Sequence, residues 1–277
     1  MLVGMMNDPN RELLSEIEFA GEHSFEFFEL TIEYPGAMPD SILQNRKKIS
    51  DILSSYNLPV LGHMAWYFSI AHPYPSIQKA IIGEINSAID AAVPLKIKQL
   101  TLHPEFLSSI TKDRSLLISR SIATLNEVSD SAKSQKCELL FENFNDTALS
   151  EDEFARILDG TKLNCTFDIG HANMNGRNGS GIYSFLSRFS KKIRHVHAHD
   201  NFGKEDSHLP IGAGQIDWAK AIPALKSYYN GTITLEVHSK DRSLLLHSKE
   251  KLQAMWHGKK QVDADKDYLQ PEMKKQQ

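Results

Sequence analysis

The sequence predicts an α/β protein folded as a single (β/α)8 TIM barrel. Three observations lead there. Short β-branched or aromatic runs alternate with longer stretches of helical period, the rhythm of βα units and a parallel sheet. The 277 residues fit the roughly 250 that one such barrel takes. No glycine-rich phosphate turn follows the first strand, which argues against the rival open, doubly wound sheet.

The elements follow in order. The apolar run Leu2–Met6 is the first strand, ended by turn residues, and Arg11–Glu22 is the first helix. Strand Phe25–Ile32 leads to helix Asp40–Ser55, strand Pro59–His63 to helix Ile77–Ala92, and strand Gln99–His103 to helix Ser115–Ser134. Strand Glu138–Glu142 precedes helix Glu151–Leu158, and strand Asn164–Asp168 precedes helix Tyr183–Phe189. Strand Ile193–His199 is followed, after a long loop, by helix Trp218–Tyr228, and strand Thr232–Val237 by helix Arg242–Ala254. Asp40, Ser150 and Asp217 stand where N-caps belong. Residues 1–256 thus form one barrel domain. Residues 257–277, polar and aperiodic, read as a disordered tail.

Composition narrows the function. With 41% hydrophobic residues the chain can bury a large core. A formal charge of −4 gives no general attraction to polyanions. No run approaches the roughly 20 apolar residues of a membrane span, and no basic leader or cleavage site opens the chain. Two cysteines, Cys137 and Cys165, suit a reducing cytoplasm better than a disulfide-stapled secreted domain.

In such a barrel the chemistry sits where strands run into βα loops. Six consecutive strands deliver metal-ligand types to that rim. They are His63; His103; Glu142; Asp168 with His171; His197, His199 and Asp200; and Glu236 with His238. One imidazole at a strand end is ordinarily a hydrogen-bonded structural residue. Six strand ends crowded with carboxylates and imidazoles would cost several kcal/mol in desolvation and repulsion, which a divalent cation offsets. His195, His197 and His199 alternate, so all three project to one side. His195 is the deepest and expected in the core, His197 is the preferred ligand, and His199 and Asp200 stand at the junction to the loop. That loop, 201–218, lacks periodicity, and loops of this kind on a rigid scaffold commonly carry function. Asp206 and His208 bracket one residue in it; Gly212 and Gly214 suit either close backbone approach to a ligand or a turn into the next helix.

Over nearly the whole chain up to the tail, the stretches Phe167-Asp168-Ile169-Gly170-His171-Ala172-Asn173 and His197-Ala198-His199-Asp200-Asn201, with Asp206-Ser207-His208-Leu209-Pro210-Ile211-Gly212-Ala213-Gly214-Gln215-Ile216-Asp217, make the sequence resemble the xylose-isomerase-like barrels. These include sugar isomerases and epimerases and the endonuclease IV type of abasic-site nuclease. For the sugar enzymes the resemblance implies one divalent ion on Glu142, Asp168, His197 and Glu236, with Glu142 and Glu236 as proton-transfer groups. For the nucleases it implies a three-metal cluster that also draws on His63, His103, His171, Asp206 and His208. The wording of the motifs is closer to the sugar enzymes.

The expectation is therefore a cytoplasmic, metal-dependent isomerase or epimerase acting next to the carbonyl of a small polyhydroxylated substrate. Its cofactor is one to three ions of Mn²⁺, Zn²⁺, Co²⁺ or Fe²⁺, since the ligand set holds no thiolate. His199, Asp200, Trp66 and Lys204 are the expected substrate contacts, with Tyr67 and Phe68 beside Trp66. Metal-cluster cleavage of abasic DNA is the alternative. No membrane partner is expected, and the oligomeric state is open.

Overall fold

The structure, a computed structural model, describes residues 1–104, 113–144, 148–174 and 179–258. From residue 259 on, the expected tail lies outside the described residues. Eight strands close a parallel barrel in sequence order. They are β1 Leu2–Met6, β2 Phe27–Ile32, β3 Val60–Met64, β4 Gln99–Leu102, β5 Glu138–Glu142, β6 Asn164–Asp168, β7 Ile193–Ala198 and β8 Thr232–Leu235. Around them lie α1 Leu13–Glu22, α2 Pro39–Ser55, α3 Pro75–Ala92, α4 Arg114–Ser134, α5 Glu151–Thr161, the short α6 Ile169–Asn173, α7 Ser180–Phe189, α8 Trp218–Lys226 and α9 Ser243–Trp256.

The strand alternation explains both layers. Outward side chains meet the helices: Phe141 of β5 stacks on Phe154 of α5 at 5.4 Å, and Phe167 of β6 on Phe185 of α7 at 4.6 Å. Inward side chains of the other parity are largely polar, and Thr101 Oγ1 meets Thr166 Oγ1 across the barrel at 2.8 Å. Pairing of β6 with β7 skips one residue, since Cys165 pairs with Ile193 and Thr166 with His195. This bulge at Arg194 sets the parity that turns His195 and His197 inward.

Helix starts follow their caps. Ser150 and Glu153 form a capping box, and Asp217 accepts from Lys220 N. Asp40 is not a cap: Met38 holds that position without a side-chain bond and Pro39 occupies the first turn, where its missing N–H costs nothing. β4, β7 and β8 end earlier than their patterns suggest, so His103, His199 and Glu236 stand just past the ladder, at the mouth.

Candidate active site

Glu142, Asp168, His197 and Glu236, from the ends of β5, β6, β7 and β8, converge at the C-terminal mouth. One ligand atom from each lies within 4.8 Å of the others. His197 Nδ1 stands 3.0 Å from Glu142 Oε1 and 3.1 Å from Glu236 Oε1. Asp168 is held at both ends: its backbone pairs with the side chain of Asn143 (2.8 and 2.9 Å), and its Oδ1 accepts from His171 N at 2.5 Å as the cap of α6.

Two further groups adjoin this one. His63 Nε2 lies 3.6 Å and His103 Nε2 2.9 Å from Glu142 Oε2. His171, His199, Asp206 and His208 form a second set with ligand atoms within 4.8 Å. The antiparallel bridge between Asp200 and Leu209, 2.8 Å in both directions, folds the long loop back and carries Asp206 and His208 to the mouth. There the non-glycine His208 adopts a left-handed φ of 44°. His171 Nδ1 donates to Asn143 O at 2.9 Å and His208 Nδ1 to Glu236 O at 3.0 Å. These backbone acceptors leave each Nε2 facing Asp206, at 3.0 and 3.2 Å.

Charge balance is unusual. Burial works to raise Glu142, but His103 and His197 outweigh it and hold the carboxyl well below the ordinary range. Asp168, buried beside His171 and His199, is held at about 2. Burial lowers His197, yet Glu236, Glu142 and Glu29 more than offset it, so its pKa lies well above an ordinary imidazole. Against the same burial, Asp206 raises His208 to about 9 and, with Asp168, lifts His171 well above the ordinary value. Asp206 itself is held low, chiefly by His171, despite burial.

The donor set fits a divalent cation. Among the described residues, Asp168 Oδ2 and both ring nitrogens of His63 are buried without a hydrogen-bond partner. Glu142 Oε2 also has none, with His103 Nε2 2.9 Å away. Such atoms are costly to leave unmet, and oxygen and imidazole donors suit Mn²⁺, Zn²⁺, Co²⁺ or Fe²⁺.

All nine sequence-derived ligand candidates are thus brought together. The expected substrate contacts fare differently. Trp66 lines a cavity of about 660 Å³ at the mouth, together with His63, His103, Phe144, Asp206, His208, Glu236 and His238. Asp200 is not among the cavity-lining residues: fully buried, it accepts from Asn201 N, Gly212 N, Ile216 N and Trp218 Nε1 (2.8 to 3.2 Å) and holds the loop. Gly214 serves the same packing, since a Cβ there would lie 2.4 Å from Asp200 Oδ1. His199, with no exposed surface, faces Asp168 and Asp206 at 3.3 and 3.4 Å instead of the cavity. Lys204 is exposed and is not among the cavity-lining residues. Conversely, Glu29 escaped notice in the sequence. Its signal was a lone acid in the apolar run Phe27-Phe28-Glu29-Leu30.

Comparison with known proteins agrees with the barrel fold. The profile of the xylose isomerase-like TIM barrel family matches residues 17–269. An uncharacterised protein of Methanocaldococcus jannaschii is 29% identical over 236 residues, spanning 81% of this chain and 78% of that one. Among solved structures, a D-tagatose 3-epimerase-like protein superposes with a TM-score of 0.81 at 26% identity, over 93% of this chain and 97% of that one. Two others share the fold: 3-keto-D-glucoside 4-epimerase of E. coli (TM-score 0.74, 14% identity, 92% and 99% covered) and D-psicose 3-epimerase of Clostridium cellulolyticum H10 (0.72, 14%, 93% and 99%). With the family profile spanning almost the entire barrel, the chain belongs to the xylose isomerase-like TIM barrel family.

Proposed function

We propose that this protein is a divalent-metal-dependent sugar isomerase or epimerase that moves a proton on the carbon next to a carbonyl. One observation carries the reading: Glu142 and Glu236 both reach His197 Nδ1, at 3.0 and 3.1 Å, with Asp168 in the same group. The epimerase-like relative at 26% identity supports it.

Glu142, Asp168, His197 and Glu236 would hold the ion, which as a Lewis acid polarises the substrate's carbonyl and hydroxyl oxygens. Glu236, which lines the cavity, takes the proton from the carbon as the C–H electron pair moves toward the carbonyl. Glu142, whose Oε2 carries no hydrogen bond, passes a proton taken from His63, whose Nε2 lies 3.6 Å away, to the other face of that carbon. Trp66 and Phe144 give the cavity aromatic walls against which the apolar side of a sugar ring packs.

A second reading, metal-cluster hydrolysis of a phosphodiester such as abasic DNA, draws on His63 and His103 beside Glu142 and on the set formed by His171, His199, Asp206 and His208. The cavity favours the sugar. Of its lining lysine and arginines, Arg11 is paired with Asp8 and Arg242 with Glu16, which leaves chiefly Lys240 for gripping phosphates.

The test is deuterium exchange from D₂O into a panel of ketoses and sugar phosphates, read by NMR for wild type, Glu142→Gln and Glu236→Gln. Exchange in wild type is expected to fall by about 10²–10⁴ in each variant. Exchange that survives both replacements refutes the mechanism. Absence of exchange together with cleavage of abasic DNA selects the second reading.

A further inference from the structure

We infer that Glu29 is the positioning residue that fixes the tautomer of His197 and so aims its Nδ1 lone pair at the cation site. The inference rests on the metal-site reading above.

Glu29 sits mid-strand on β2, across the barrel from β7, and has no exposed surface. Its oxygens are divided between two imidazoles: Oε2 lies 3.0 Å from His195 Nε2 and Oε1 3.2 Å from His197 Nε2. An ionised carboxylate only accepts, so each Nε2 carries the proton.

The two histidines then part ways. At His195 the other nitrogen, Nδ1, accepts from Thr232 Oγ1 at 2.7 Å, and Thr234 Oγ1 lies 3.1 Å from Nε2. Every polar atom there has a partner. Glu29, His195 and His197 stand close enough to hold an ion of their own, but saturation makes them a hydrogen-bonded support. At His197 the other nitrogen faces Glu142 Oε1 and Glu236 Oε1 and no donor. With its proton on Nε2, a neutral His197 presents a lone pair at Nδ1 among carboxylate oxygens.

That outcome is contested. Glu142 and Glu236 would also accept a proton from Nδ1, and the Nδ1–H tautomer places hydrogen where the ion belongs. An imidazolium would satisfy both sides at once, but an ion at Nδ1 leaves His197 a single proton, and Glu29, as the acceptor at Nε2, keeps that proton there. His195 braces Glu29 in turn, itself fixed by Thr232 and Thr234. A buried carboxylate in a barrel interior is costly to keep for packing alone, whereas orienting a ligand gives it a use.

Metal-free wild type and Glu29→Gln are titrated with Zn²⁺ against a competing chelator, with circular dichroism to confirm that the variant folds. Glutamine offers one acceptor and one donor, so it cannot accept from both imidazoles. The variant is expected to bind Zn²⁺ about 10–100-fold more weakly. In Zn²⁺-loaded wild type, ¹⁵N NMR of labelled histidines is expected to show His197 protonated on Nε2 and not on Nδ1.

A folded variant whose affinity stays within about threefold of wild type, against the 10–100-fold expected, overturns the inference while leaving the metal site standing. So does a proton on Nδ1 in the loaded wild type, which decides the matter alone if the variant fails to fold. Wild type that binds no divalent ion overturns the metal-site reading and the inference with it.

Discussion

Gly170, in α6 directly after Asp168 and Ile169, is packed against the second ligand set. A Cβ built there would lie 2.1 Å from His199 Cε1 and 2.3 Å from its Nε2. Non-bonded carbons rest at about 3.5 Å or more, so the ring would have to retreat by about 1.4 Å. It has nowhere to go. His199 has no exposed surface; it stacks on His208 at 4.1 Å, and His208 stacks on His238 at 4.1 Å. Gly170→Ala must therefore shift either the imidazole stack or α6, which also carries His171. Overpacking of this kind costs about 1–3 kcal/mol. For a fully enclosed ring the upper end, about 3 kcal/mol, applies; alanine's better helix propensity returns up to about 1 kcal/mol, leaving a net loss of about 2–3 kcal/mol. At roughly 2–4 °C per kcal/mol for a chain of this size, differential scanning calorimetry is expected to show a midpoint lower by several degrees. Elemental analysis is expected to show weaker occupancy wherever His171 and His199 serve as ligands. A midpoint equal to or above that of wild type, with unchanged metal content, would refute the reasoning.

Gly83, exposed within α3, is the counterexample: nothing lies within 4 Å of a Cβ built there, so Gly83→Ala is expected to stabilise by about 0.4–1 kcal/mol and to raise the thermal midpoint; a lowered midpoint would contradict it. Removal of bound metal by a chelator is expected to destabilise the protein. An ion at 100 times its Kd contributes about 2.7 kcal/mol, or roughly 5–10 °C in midpoint, and an unchanged melting curve counts against a resident ion. Glu153 takes two hydrogen bonds from Arg114, at 2.7 and 2.6 Å. These, above all, hold its carboxyl at about 2 against an ordinary 4.5. Because that pKa is depressed in the fold, the stabilisation is complete above about pH 4.5 and is lost as pH falls toward about 2. Glu153→Gln is therefore expected to cost about 1 kcal/mol near neutrality, after allowing for solvent screening, and to converge with wild type in acid. Unfolding curves that stay parallel from pH 6 to pH 2 would show that the pair contributes nothing.

The barrel is legible in the chain before it folds, because strand and helix periods are local properties. The sequence also placed His63, His103, Glu142, Asp168, His197 and Glu236 at one mouth, because a parallel barrel sends every strand's C-terminal end to the same rim; that His171, Asp206 and His208 join them as ligand candidates was implied by the family resemblance. Capping was legible at Ser150 and Asp217, whose side chains act on neighbours three residues away. At Asp40 the adjacent Pro39 started the helix first. What the tertiary structure decided is which side chain meets which. Asp200 and Glu236 look alike as acids at strand ends, yet Asp200 is consumed by four donors of its own loop and strand junction, while Glu236 opens on the cavity. Lys204 lies in the same loop as Asp206 and His208, but the bridge from Asp200 to Leu209 brings only the latter two to the mouth. Glu29 and His197 are 168 residues apart. Period two tells that each can point inward, but only closure of the sheet and the bulge at Arg194 bring them to one level, because the register between distant strands is set by packing of the whole barrel and is written in no local stretch of chain.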